Sequence, residues 1–354
     1  MTTILTLPLA QQASVLDVGN FALSAVFKIG VVLVMFMVIS LVGGYLEHKA
    51  MGHMQARTGP MEAGPHGTLQ LVADGIKFVQ KEDVIPRNAD KWVFAAAPGV
   101  ALVPAMLGFY VLPLGPGVWA ADLELGLFYA LAIGSIGVLG ILMGGWASAN
   151  KFSLIGGLRA AAQLIAYELP LILAAAAVGI QAGSLSLVDI VDAQMTMQVF
   201  GTPITMWFII PQLLGFVIFF IAAMAELSRP PFDMPIADSE LVFGYMTEYT
   251  GIKFAMYLLT EYGGMVFMSG LMVVLYLGGW QILPGVDMPE GTWGALLGVG
   301  VTLGKIMLLI FVIVWARVAY PRLREDQLQK ISWLILIPLS LLNIVIVALG
   351  KVLL

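Results

Sequence analysis

The segment AELSRPPFDMPIADSELVFGYMTEY, residues 225–249, places Glu226, Asp233, Asp238, Glu240 and Glu248 around one cation, Arg229. Carboxyl groups at this density can hand protons to one another. Their setting is apolar: 60% of the residues are hydrophobic and only 11% are charged. Pro230, Pro231 and Pro235 remove backbone donors and fix φ, so residues 229–236 are expected to be irregular. Irregular backbone is tolerated at membrane depth only where protein buries it or water lines it.

Three ionisable residues stand inside long apolar runs. Glu168 and Glu261 each follow a basic residue, Arg159 and Lys253, by about eight positions, roughly 12 Å along a helix. Lys305 stands about midway along its own run. A charge at such depth costs roughly 2.5–3.5 kcal/mol or more. It must pair, line a hydrated cavity or become neutral, and burial favours the neutral carboxyl. A Glu–Lys pair or a packing hydrogen bond would also answer that cost without any proton traffic. The spacing adds information. Arg159, Gln163 and Tyr167 recur every four residues beside Glu168, and Lys253, Tyr257 and Glu261 repeat the pattern. These stripes give each run a polar half that faces other protein. Glu47 ends the first run, Glu226 ends the fifth and Glu248 precedes the sixth. A hydrated acidic path is the economical expectation, with the carboxyls as successive proton stations.

The elements that carry these groups are apolar runs near 24–46, 92–112, 125–146, 161–182, 206–225, 254–279, 293–316 and 331–350. A bilayer core needs about 20 apolar residues per helix. The fold expected is all-α: one integral membrane domain over 1–354 with about eight transmembrane helices. Period-two alternation, the mark of a membrane barrel, is absent. Within 67–82, Gln70, Asp74, Lys77 and Lys81 share one face and Leu69, Val72, Ile76 and Val79 the other. That segment is expected to be an amphipathic helix along the cytoplasmic boundary, covering loop ends or flanking a lateral gate for a lipid-borne molecule.

Lys and Arg set the orientation. They occupy gaps 47–91, 146–160, 226–253 and 317–330, and are missing from 113–124, 183–205 and 280–292. Both termini are therefore expected outside, with the basic gaps in the cytoplasm. No cleavable signal pattern opens the chain, so the first run is expected to stay. Cysteine is absent, which excludes disulfides, thiolate metal sites and iron–sulfur ligation by this chain. His48, His53 and His66 have no zinc-like company. The pairs Gly140–Gly144, Gly294–Gly298 and Gly300–Gly304 read as helix packing, and Trp146, Trp280 and Trp315 as an interfacial belt.

Four segments carry a resemblance. LEHKAMGHMQARTGPMEAGPHGTLQLVADGIKFVQKED, GWASANKFSLIGGLRAAAQLIAYELP, AELSRPPFDMPIADSELVFGYMTEYTGIKFAMYLLTEY and VWARVAYPRLREDQLQKISWLILIPLSLLNI resemble the H-subunit family of bacterial respiratory complex I, equivalent to mitochondrial subunit 1. The likeness runs from about residue 20 to 350. It implies eight spans at the foot of a peripheral redox arm, in the bacterial inner membrane, forming most of the membrane-side entrance to a quinone chamber. Quinone would be the substrate, with no covalently bound cofactor here. NADH, FMN and iron–sulfur clusters would belong to partner subunits. The resemblance assigns Glu168, Glu226, Asp233, Asp238, Glu240, Glu248 and Glu261 to a proton path towards antiporter-like subunits. It assigns Glu47, Lys49, Arg57, Arg159, Arg317, Arg322 and Arg324 to the chamber and the arm-facing surface.

The pattern departs in places. The family's basic pair after the first Glu is His48 and Lys49 here. GPNRVGP becomes GPMEAGP, with Met61 and Glu62. PEAEAEL becomes PIADSEL, so Ile236 replaces one acid and Asp238 another. No phosphate loop or GxGxxG after a strand is present, so nucleotide binding by this chain is not expected. Without a redox centre, the work expected is to seat a quinone and couple its reduction to proton movement. The alternatives are the equivalent subunit of a membrane-bound hydrogenase or formate hydrogenlyase, a stand-alone cation–proton transporter, and a non-catalytic anchor. A transporter would be expected to show internal repeats, which are not evident.

Overall fold

Long apolar runs bounded by caps and helix breakers become long helices. The computed structural model describes residue 16 and residues 21–353 apart from 196–197, 200–201, 204, 237, 287 and 290. In chain order the helices are α1 Phe21–Met54, α2 Gln70–Gln80, α3 Lys91–Val111, α4 Gly126–Ala147, α5 Lys151–Ala182, α6 Leu187–Ala193, α7 Leu213–Glu226, α8 Asp238–Leu241, α9 Gly251–Tyr276, α10 Thr292–Ala319, α11 Glu325–Lys330 and α12 Ile337–Leu353. A π-helical turn, Ile331–Leu336, joins α11 to α12. Short strands Gln198–Val199 and Thr202–Pro203 pair antiparallel. Asp90 caps α3 by accepting from the Val93 amide, and Asn150 caps α5 by accepting from the Phe152 amide. These caps satisfy donors that a helix start leaves open.

Seven helices among the described residues are long and apolar enough to cross a membrane: α1, α3, α4, α5, α9, α10 and the continuous α11–α12. The fifth predicted run, 206–225, differs. It is helical only from Leu213, over 14 residues, about 21 Å of rise against a core of about 30 Å. The turns before it are held by protein. Gln194 Oε1 accepts from the Phe208 amide at 3.1 Å, and the Ile209 amide donates to the Tyr276 carbonyl at 2.9 Å. Irregular backbone can stand here because each of these donors has a protein partner.

The core centres on α9, where every residue from Met265 to Tyr276 is buried. Phe36, Phe109, Tyr167, Phe219 and Ile310 pack around it from five other helices. Close approach of α3 and α4 depends on Gly140, where a Cβ would collide with the Ala101 backbone. Gly144 leaves room for the Tyr257 hydroxyl, and Gly298 for Pro116. Gly300 and Gly304 depart from the packing expectation, because nothing approaches their Cβ positions within 4 Å. Trp146 and Trp315 are exposed, whereas Trp280 is buried beside Trp119. His48 and His53 belong to the last turns of α1 rather than to a loop.

Lys305 meets the cost of its depth through backbone. Its ammonium donates to the carbonyls of Leu277 at 2.6 Å, Gly279 at 3.0 Å and Gln281 at 2.5 Å, and lies 4.4 Å from the Trp207 ring centroid. A cation at a helix C-terminus faces the negative end of the peptide dipoles, so Lys305 fastens the end of α9.

The gaps rich in Lys and Arg meet at one end of the bundle. Lys253 pairs with Asp83 and Arg322 with Asp233, each at 2.8 Å. The gaps without Lys or Arg meet at the other end. There Ser186 donates to Asp122 at 2.7 Å and Gln281 to the Val191 carbonyl at 2.9 Å.

Candidate functional site

One guanidinium organises the interior. Arg229 lies in the proline-rich segment just after α7 and is 3% exposed. Its Nη1 donates to Oε1 of Glu47, from α1, at 2.6 Å. Its Nε stands 3.0 Å from Oε1 of Glu261, from α9, without hydrogen-bond alignment. Its guanidinium carbon lies 5.2 Å from the Tyr262 ring centroid. Arg317, in the last turn of α10, donates to the same Glu47 oxygen. Two carboxylates and two guanidinium groups from four elements thus neutralise one another, as buried charges must.

From Glu261 a run of internal space leads away. A cavity of about 110 Å³ is lined by Glu261 and Glu226 with Tyr245, Tyr257, Thr260 and Ile236. A smaller one, about 10 Å³, is lined by Glu226, Glu168 and Ser135. Both share Gly134, Glu226 and Met268. The Ser135 hydroxyl donates to Glu168 Oε1. Oε2 of Glu226, Oε2 of Glu47 and Nη2 of Arg229 are buried without a hydrogen-bond partner among the described residues. Leaving such an atom unpaired costs about 1–3 kcal/mol, and the larger cavity has room for several waters at about 10–15 Å³ each. The arrangement suits a hydrated string of carboxyls from Glu168 through Glu226 to Glu261. Tyr245, in the loop before α9, contributes a neutral hydroxyl: burial first, then the nearby Glu261 carboxylate, holds it well above the usual phenol range.

The remaining candidates separate from this string. Arg159 binds Glu240 at 2.8 Å and stands 3.6 Å from Glu325. With Arg322, Arg324, Asp326, Met234 and Gln329, these residues line a surface bowl of about 690 Å³. Asp233 joins it through Arg322. Glu248 accepts from the Asn150 side chain at the start of α5. Lys49 holds the loop beyond α1, donating to the Pro60 carbonyl at 2.5 Å. Arg57 reaches Gln55 at 2.9 Å on the surface. The side chain of Asp238 lies outside the described residues. The acids of the proline-rich segment therefore do not share one cleft. Arg229 pairs inward with Glu47 and Glu261, while Asp233 and Glu240 pair with Arg322 and Arg159.

A third space lies beside α2. The apolar face of α2, with α1 and α9, forms a groove of about 530 Å³ lined by Leu71, Val72, Ile76, Phe78, Val79, Met37 and Leu259. Asp74 and Lys77 pair at 2.5 Å on α2. The groove ends at Tyr262, the ring against Arg229. Spacing marked α2 and the in-span acids. It did not mark Arg229 as the common partner of Glu47 and Glu261, although a lone cation among five acids was the available signal. Ser135 and Tyr262 carried no signal of their own.

The model of one family, NADH dehydrogenase, matches residues 27–348. The chain belongs to the NADH dehydrogenase family. It is similar to the H subunit of NADH-quinone oxidoreductase from Bacillus cytotoxicus, 44% identical over 90% of this chain and 92% of that one. The proteins of the same name from Brevibacillus brevis and Geobacillus kaustophilus are 44% and 43% identical, over 91% and 92% of this chain and 92% and 93% of theirs. In this member of the NADH dehydrogenase family, the matched region contains Glu47, Arg229, the three carboxyls along the cavities, the bowl and the α2 groove.

Proposed function

We propose that the chain acts as the H-type membrane subunit of a bacterial NADH-quinone oxidoreductase, where it seats a quinone and couples its reduction to proton movement. The names of its relatives support membership of such a complex and favour it over a hydrogenase subunit or a stand-alone transporter. The complex would supply the redox arm, the NADH site, FMN, the iron–sulfur clusters and the further membrane subunits. The basic end faces the cytoplasm in this reading, by the positive-inside bias, and both termini face outside.

The groove between α1, α2 and α9 is the lipid-side entrance for quinone. It is lined mostly by apolar side chains and includes Tyr262, the ring against Arg229. Charge developing on a reduced quinone near Arg229 and Arg317 changes how strongly they hold Glu47 and Glu261. Glu261 then takes or releases a proton, which passes to Glu226 and Glu168 in small steps. Each charge moved across the membrane is worth roughly 2.3 kcal/mol per 100 mV, and site-to-site coupling is the means of meeting it.

The observation that carries the reading is the contiguity of the two cavities through Glu226. Glu226 and Glu168 form no ion pair among the described residues, so neutralising either leaves no cation stranded. Glu168→Gln and Glu226→Gln are expected to assemble at normal abundance and to lower the proton-to-electron ratio in reconstituted vesicles. A normal ratio in both variants would remove the acidic path.

A further inference from the structure

The backbone from Asp233 to Ile236 is a wall between two compartments. Met234 lines the surface bowl with Arg159, Glu240 and Arg322. Two residues on, Ile236 lines the internal cavity with Glu226, Glu261 and Tyr245. Pro235 stands between them, its carbonyl so close to Gly244 that no side chain fits there, at a φ of 55° that glycine tolerates. Both compartments are rich in ionisable groups, yet of the wall residues Met234 faces the bowl and Ile236 the cavity, both apolar, and only Asp233, at the start of the wall, is charged. The nearby carboxylates each have a cation partner, Asp233 in Arg322 and Glu240 in Arg159.

Protons cross protein along water or titratable groups, and an apolar side chain offers neither a hydrogen bond to water nor a site for a proton. The sequence gives the same signal, since PIADSEL has an isoleucine where the resembling pattern has an acid. We propose that Ile236 is a seal that keeps the water and protons of the bowl out of the acidic cavity, so that the cavity exchanges protons through the Glu261–Arg229–Glu47 side instead. The seal rests on the acidic-path reading and adds a direction to it. Ile236 excludes water and touches no substrate.

The test follows water exchange at Tyr245, on the cavity side. The whole complex is mixed into heavy-oxygen water and pulsed with hydroxyl radicals, and Tyr245 is read by mass spectrometry. Ile236→Asn is expected to speed heavy-oxygen uptake at Tyr245 by about tenfold, because it removes the desolvation barrier, while Ile236→Leu stays within about twofold of the parent. Ile236→Glu gives the same rise and provides a second variant should Ile236→Asn assemble poorly. An unchanged Tyr245 rate in the assembled polar variants overturns the seal and leaves the acidic path standing. Normal proton-to-electron ratios in both Glu168→Gln and Glu226→Gln would instead remove the path, and the water-exchange result would still report on the wall.

Discussion

Arg229 is the residue on which the interior charges depend. Glu47 is 1% exposed and has a second partner in Arg317, whereas Glu261 has Arg229 alone among the described ion pairs. Removing one partner of a buried pair costs about 3–5 kcal/mol, because the other charge is left uncompensated. Arg229→Gln is therefore expected to lower the thermal stability of the assembled complex. Adding Glu261→Gln should recover much of that loss, since no unpaired carboxylate then remains on α9. A double variant no more stable than the single one would show that Arg229 acts through packing against Tyr262 rather than through charge. Depth made Glu168 and Glu261 legible from sequence, because a carboxyl far inside an apolar run needs an explanation. The partner that Glu261 shares with Glu47 was not legible, because Arg229 lies 32 residues before Glu261 and 182 after Glu47. Only the fold brings those positions together.

At the scale of elements, helix–helix distance is set by small residues. Gly140 packs on the Ala101 backbone, whereas Gly134, on the same helix, meets nothing within 4 Å. Gly140→Ala should push α4 off α3 at a cost of about 1–3 kcal/mol, the usual penalty of overpacking. Gly134→Ala should stay within about 0.5 kcal/mol. Thermal unfolding of the two variants in detergent checks this, and equal losses would argue that α3 and α4 are not in tight contact. Apolar periodicity located most of the long helices because hydrophobic length alone decides them. It overestimated α7, since 206–212 is as apolar as a helix while its amides bond to Gln194 and Tyr276 instead. It also placed Trp280 at an interface, although a tertiary contact with Trp119 buries it. Depth singled out Lys305, but not its role as a clasp, because the three carbonyls it binds belong to a turn more than 20 residues earlier in the chain.

For the whole molecule, the alternation of basic gaps becomes a polarity of the bundle. The clasp between Lys253 and Asp83 and the pairs of Arg159 and Arg322 close the basic end. The other end is closed by neutral and acidic groups such as Ser186, Asp122 and Gln281. In the orientation proposed, anionic lipid on the cytoplasmic leaflet and the insertion bias both favour the basic end on the inner side. The chain contains no cysteine, so single introduced thiols report position without interference from the rest of the chain. Leu283→Cys, exposed beyond α9, should react with an impermeant maleimide in right-side-out vesicles. Asn88→Cys, exposed before α3 at the basic end, should react only after the vesicles are opened. The reverse pattern would put the bowl and its arginines outside, away from any cytoplasmic redox arm. The groove beside α2 would then open towards the outer leaflet, and a quinone seated there would draw its protons from the wrong side for pumping outward.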